Sequence, residues 1–333
     1  MPVRCGNLRL LGADVDSINY HRGMEKPTFD PGLTQQFTGV LRRSINKDGS
    51  FNVSRRGGSW RDFHPYLQML SMSWPQFFAI VLSGYLLLNL LFALVYFALG
   101  PGHLQGADGA NEMERFLNDF FFSTHTLTTV GYGNMVPSTV IVNIVASLEA
   151  LCGLMAVALG TGLMFGRFSR PSARIAFSER ILMAPYQEQS SLQCRIANLR
   201  PNILMELEAN LILMTVEGTP GNMKRRFEPL KLERDKIYFL ALTWTIVHPL
   251  DETSPLYGKT AQDLERLQAE FVVLIKAFDD TFSQTVHSRY SYRYDELAWQ
   301  AKFHPAFEIN EAGDMILNVD RVGSHALLGE GRS

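Results

Sequence analysis

In the stretch "TTVGYGNMVP", residues 128–137, Thr129-Val130-Gly131-Tyr132-Gly133 places two glycines around a tyrosine. These residue types suit the coordination of a cation by main-chain oxygens. A dehydrated cation needs several oxygens at once, and one extended strand offers one carbonyl per level. Glycine accepts φ values closed to other residues. Gly131 and Gly133 therefore allow successive carbonyls to face one axis. Thr129 adds a hydroxyl at the inner end, while Val130 and Tyr132 point outward and brace the strand. One chain supplies one strand, so four copies must surround the axis as a cyclic tetramer. In a soluble protein the same Gly-Tyr-Gly would be an exposed turn.

The flanking elements decide between these readings. Between Asp62 and Asp108 there is no Lys, Arg, Asp or Glu. The centre of that segment, Trp74 to Leu99, exceeds the roughly 20 residues that cross a bilayer as a helix. A second apolar stretch, Val140 to Phe168, carries only Glu149 before Arg167. Two such lengths in one chain read as membrane spans, and the first begins too far along to be a cleaved leader. Between them, "RFLNDFFFSTHTLT" is apolar but too short to cross, and it runs straight into the glycines. A half-membrane helix followed by irregular backbone is tolerated only inside protein or beside water. Arg42, Arg43, Lys47, Arg55, Arg56 and Arg61 precede the spans; Arg170, Arg174 and Arg180 follow them, and only Arg115 lies between. Basic residues stay on the cytoplasmic side. Both termini are expected there, with the glycine motif in the external half of a re-entrant loop.

The remainder divides by texture. Residues 1–44 read as a mobile tail, 45–73 as a cytoplasmic strand and an interfacial helix, 74–171 as the two-span pore domain, and 172–333 as a β-sandwich. "INKDGSFNVSR" has a turn followed by alternation, a candidate edge strand. In "SWRDFHPYLQMLSM", Trp60, Phe63, Leu67 and Leu70 share a helical face suited to the membrane surface. After Pro171, short runs such as "LQCRIANL", "LEANLILMTV", "IYFLALTWTIVH" and "FVVLIKAF" recur between turns, as in an antiparallel sandwich. One helix, "AQDLERLQAEF", starts at Thr260 with Asp263 as its capping partner. A formal net charge of −2 excludes a typical nucleic-acid binder. Cys5, Cys152 and Cys194 lie far apart, with neither zinc spacing nor a disulfide framework. The eight histidines (His21, His64, His103, His125, His248, His287, His304, His325) lack metal spacing, and no nucleophile motif points to an enzyme.

TVGYG is the loop by which potassium filters are known. Together with "SWRDFHPYLQMLSMSWPQF", "FFFSTHTLTTVGYGNMVP", "LEALCGL…FGRFSRP", "RIANLR" and "HPLDETSPLYG", it makes residues Ile45 to Val319 resemble prokaryotic inward-rectifier potassium channels. The resemblance implies a homotetramer in the bacterial inner membrane: a two-span pore with a re-entrant helix and filter above a cytoplasmic immunoglobulin-like β-sandwich. It implies no cofactor beyond K+ itself, held at Thr129, Val130, Gly131 and Tyr132, with Gly133 completing the filter. Phe165 matches the bulky residue at the inner-helix gate, and Gly153 the hinge glycine, a position where tight helix packing is the competing explanation. Glu206 and Asp280 match acids lining the cytoplasmic passage. Arg61, Arg167, Arg170 and Arg174 lie near the family's site for anionic phospholipid or phosphoinositide, which is expected to inhibit bacterial members.

Departures from the family accompany these matches. Val157 stands where strong rectifiers carry an acid. His125, and Asn134-Met135-Val136, stand where a glutamate and an arginine pair behind the filter. His125 and the intramembrane Glu149 are therefore candidates for pore modulation. Either Glu149 pairs with His125 in place of the missing ion pair, or it faces a wet cavity and attracts potassium. A different class of protein, a membrane-anchored receptor whose β-sandwich senses a ligand, would share the spans but have no use for aligned carbonyls.

Overall fold

The structure, a computed structural model, describes residues 43–54, 57, 64–169, 173–219 and 222–328, with short pieces at 29, 31–32 and 36–37. After a two-residue strand β1 (Gln36–Phe37), the helix α1 (Pro65–Ser71) begins with proline at a position where no N–H is needed. It precedes α2 (Trp74–Ala98), which starts at Ser73, whose N–H donates to Gln76 Oε1 at 3.2 Å. A short strand β2 (Leu104–Gln105) leads to α3 (Glu112–Leu127). Asn111 caps α3 by accepting from the Glu114 N–H at 2.8 Å, and Glu112 and Glu114 complement the helix dipole. The glycine-containing segment 128–135 then passes into β3 (Val136–Pro137), which pairs with β2 and closes the loop. Thr139 caps α4 (Val140–Phe168), which is unbroken over 29 residues.

Helices α2 and α4 turn apolar side chains outward: Leu87 is 66% exposed, Leu91 54%, Leu154 63% and Leu159 67%. A helix apolar on its outer face belongs in hydrocarbon, and both are long enough to cross it.

Beyond residue 172 the solvent logic reverses. The strands are β4 (Ile175–Phe177), β5 (Ile181–Tyr186), β6 (Gln189–Asn198), β7 (Leu204–Thr219), β8 (Asn222–Leu230), β9 (Lys236–Leu240) and β10 (Thr243–Pro249). After the short helix α5 (Ala261–Arg266) come β11 (Glu270–Asp279), β12 (Gln284–Arg293) and β13 (Leu297–Trp299). One sheet runs β1-β8-β7-β11-β12 with β9 also on β7; the other runs β10-β6-β5-β13 with β4 also on β6. Ile181, Leu192, Ile196, Leu207, Leu211, Phe271 and Val273 are buried between them, the alternating inner faces of an immunoglobulin-like sandwich. Two small ribbons, β14 (Ala301–Phe303) with β17 (His325–Leu327) and β15 (Phe307–Ile309) with β16 (Met315–Leu317), complete the chain.

Several expectations need correction. The segment from Ile45 forms a single bridge, Ile45 to Phe51, instead of an edge strand. Asp48 Oδ1 accepts from the Ser50 N–H and tightens the turn. The segment is nonetheless docked: Ile45 is buried against Ile212, Met214, Phe227 and Val272. Glu270 accepts the Ser44 N–H at 3.0 Å, and Ser291 Oγ donates to the Ile45 carbonyl at 2.7 Å. Arg43 and Lys47 both pair with Glu296. Within the expected tail, β1 pairs with β8. The helix after Thr260 stops at Arg266, because Gln268 takes φ 46 and Glu270 opens β11. The run 237–248 is two strands, β9 and β10, and β13 lies parallel to β5 in a sandwich read as wholly antiparallel. Trp60, Arg61 and Phe63 of the interfacial segment lie outside the described residues.

Candidate functional site

Helix α3 ends at Leu127, and the chain reverses on its last carbonyls: the Val130 and Gly131 N–H groups donate to the His125 oxygen at 2.9 and 3.2 Å. Beyond that hook, Thr129, Gly131 and Gly133 have φ of 59, 56 and 81. Alternating left-handed residues undo the ordinary two-residue period of a strand, whose carbonyls point to opposite sides. Thr129 adopts the conformation despite its β-branched side chain, at a cost of about 1–3 kcal/mol. At Gly131 and Gly133 an added Cβ would meet nothing within 4 Å, so in one protomer it is the backbone angle, not space, that favours glycine. Among the described residues no donor reaches the carbonyl oxygens of Thr129 to Gly133. Val130 and Tyr132 are 52% and 74% exposed.

Behind this strand the protein is closed. Glu149, on α4, is fully buried; its Oε2 accepts from the Tyr96 hydroxyl of α2 at 2.7 Å, and its Oε1 bonds Ser123 Oγ of α3. One turn along α4, a Cβ on Gly153 would lie 2.0 Å from the Leu127 oxygen. Gly153 thus permits close helix approach, and α4 runs through it without a break. Within the protomer, Glu149 follows neither reading; pairing with His125 of another copy is not tested by a single chain. It is not wet, and its partners are Tyr96 and Ser123, not His125. Residues 123 and 125 lie about 200° apart around a helix, so His125 points elsewhere and meets the Tyr132 ring edge-on at 4.7 Å. In the loop between α2 and α3, the buried His103 Nε2 bonds Asp119 Oδ1 at 2.9 Å, and His103 Nδ1 bonds the Gly100 oxygen. This pair ties that loop to α3. Asp119 was legible as the one acid in the apolar run, while Ser123 and Tyr96 carried no sequence signal.

Towards the C-terminal end of α4, Val157 and Phe165 are 64% and 72% exposed. Arg167 is not free at the membrane surface. Its guanidinium donates to the Met69 and Met72 oxygens, the last carbonyls of α1, and sits over the Trp74 and Phe77 rings at 4.4 and 4.7 Å. Leu70 and Tyr66 of α1 reach the space beside Gly166. Arg174 is exposed, whereas Arg61 and Arg170 lie outside the described residues. In the sandwich, Glu206 has φ 49 at a bulge where the β7–β11 register shifts between Lys276 and Phe278. Leu204 faces Asp279, so Glu206 and the following Asp280 sit, both exposed, at one end of the sheet.

The "HPLDETSPLYG" stretch is structural. The neutral His248 ring donates from Nδ1 to the Lys231 oxygen at 2.6 Å and accepts at Nε2 from Ser254 Oγ at 2.8 Å. Burial pushes its pKa below the usual histidine range, against a weaker upward pull from the Lys231 carbonyl.

Comparison with known proteins places this geometry. A family described as "Inward rectifier potassium channel C-terminal domain" matches residues 175–326, and one described as "Ion channel" matches residues 84–170. The inward rectifier potassium channel Kirbac3.1 of Paramagnetospirillum magnetotacticum is 36% identical over 283 residues, 84% of this chain and 94% of that protein. The G protein-activated inward rectifier potassium channel 3 of Mus musculus is 27% identical over 328 residues, 90% of this chain and 81% of its own. The inward rectifier potassium channel irk-1 of Caenorhabditis elegans is 26% identical over 298 residues, 81% and 54%.

Proposed function

The chain belongs to the inward rectifier potassium channel family, and from that premise we propose that four copies conduct K+ through a filter built from Thr129, Val130, Gly131, Tyr132 and Gly133. One observation carries this reading: five successive carbonyls that no donor among the described residues reaches, on a strand whose φ alternates. All five residues are exposed in the single protomer, which leaves these oxygens open to other copies and to an ion. Four strands around one axis would enclose these oxygens and turn them on a dehydrated cation. The permeant ion is the only metal this scheme uses.

The gate follows from the inner end. Phe165 rings from four copies would narrow the pore and close it by dewetting. Arg167 fastens α4 to α1, while residues 43–51 are held on the sandwich by Glu270, Ser291 and Glu296. Movement of the cytoplasmic domain thereby reaches the inner helix through α1. Glu206 and Asp280 concentrate cations in the cytoplasmic passage, and Val157 offers no charge to hold a blocking polyamine. Anionic lipid acts through Arg174, with Arg61 and Arg170 as its expected partners. Arg167 is already engaged and takes the smaller part. The spans run with both termini cytoplasmic, in the inner membrane of a bacterium.

The test is ion flux through purified protein in liposomes. Potassium flux well above sodium flux supports the proposal; equal fluxes, or none under any lipid composition, would reject it.

A further inference from the structure

Glu149 joins three helices at one buried point, and the hydrogen-bond count there decides its form. Its Oε2 accepts from the Tyr96 hydroxyl at 2.7 Å. Ser123 Oγ has three acceptors around it: Glu149 Oε1, and the Asn89 main-chain and side-chain oxygens, each at 3.2 Å. Asn89 Nδ2 donates to the Tyr85 oxygen at 2.7 Å, which fixes the amide with its oxygen toward Ser123. A serine hydroxyl has a single proton, so with a carboxylate at 149 the group lacks a donor. A proton on Glu149 Oε1 supplies it. The carboxyl O–H then donates to Ser123, Ser123 to Asn89, and Asn89 to Tyr85, one proton per link. No ion pair among the described residues involves Glu149, and a buried carboxylate without a cation is costly.

The register shows what this chain of bonds holds. Glu149 and Gly153 are one turn apart on α4; Ser123 and Leu127 are one turn apart on α3. Glu149 meets Ser123 by hydrogen bond, and Gly153 meets Leu127 by backbone contact. Leu127 is the last residue of α3 before the filter strand.

We propose that Glu149 is a positioning residue for the filter: as a neutral carboxylic acid it donates to Ser123 and keys α3 between α2 and α4, without touching the permeant ion. The proposal rests on the filter reading, but its test is separate. Wild type, Glu149→Gln, Glu149→Ala, Ser123→Ala and the double alanine variant are compared in liposomes, with assembly followed by size-exclusion chromatography. Glutamine keeps one donor and one acceptor, so the potassium-to-sodium flux ratio should stay within about twofold of wild type, while either alanine lowers it about tenfold. The double variant should be no worse than the single ones, since all break the same chain of bonds. Infrared spectra at neutral pH should show a protonated-carboxyl band in wild type that Glu149→Gln removes. A glutamine variant as impaired as alanine, an alanine variant with normal selectivity, or no such band would each overturn the proposal. If the alanine variants fail to assemble, the glutamine flux ratio and the infrared band still decide. Loss of wild-type selectivity would instead strike the filter reading itself.

Discussion

Behind the strand formed by Thr129 to Gly133, Tyr96, Ser123, Glu149 and Gly153 make contacts that a single protomer completes; in front of it, no donor among the described residues reaches the oxygens of Thr129 to Gly133, and Tyr132 stands largely exposed. The back is finished by local packing, which fixes where the strand lies. The front is left open, and in the proposed tetramer other copies and an ion complete it. Stability and function are thus divided across a few residues: changes behind the strand should act through position, and changes within it through coordination.

Two substitutions separate the faces. Gly131→Ala introduces a side chain at positive φ and should abolish selective potassium flux while the tetramer still assembles. Gly153→Ala drives a methyl group against the Leu127 oxygen and should strain the helix pair by about 1–3 kcal/mol. That loss should appear in the thermal unfolding of the assembled protein as well as in flux. If Gly153→Ala assembled and unfolded like wild type, the back would be looser than the structure shows.

A smaller effect should come from the proposed gate, remote from both faces. Arg167→Gln removes charge-assisted bonds to the end of α1, worth about 1.5–3 kcal/mol. Single-channel recording should show a changed open probability with an unchanged potassium-to-sodium permeability ratio. A change in selectivity instead would mean that α4 transmits the perturbation to the filter.

The smallest concerns pH and the sandwich. The folded pKa of His248 lies below its unfolded value, because burial disfavours the imidazolium. The unfolded chain therefore binds the extra proton first as pH falls. The contribution of His248 is complete above about pH 6.5 and is lost as pH drops through the folded value. Asp251, held low by hydrogen bonds from Thr253, loses its contribution only in more acidic solution. The melting temperature of the full chain should fall between pH 7 and 5, and less steeply in His248→Gln. Identical slopes would show that His248 is not the group responsible.

Much of this was legible from sequence where one residue type dominates a long run. The spans from Trp74 and from Val140 needed only hydropathy, and the proposed filter rests on the order of five residues. What escaped was rotational. Glu149 stood out as a charge in an apolar helix, but sequence does not say which side of α3 it meets. Ser123 lay two residues from the more conspicuous His125 and about 200° away. Arg167 read as a surface charge, because only the fold brings the α1 carbonyls to it. Strands β8 and β12, with sequences NMKRRFEPL and QTVHSRYSYR, were missed because charged and polar residues dilute their alternation. The sandwich core supplies what those strands lack on their own.

The central claim is that Thr129 to Gly133 from four copies form one ion-coordinating column. A high-resolution structure of the purified protein in potassium tests it most directly. The account predicts four protomers about an axis, with ion density between the carbonyls of Thr129 to Tyr132 that weakens when sodium replaces potassium. A stable assembly with these oxygens turned from the axis, or covered by another part of the chain, would contradict it.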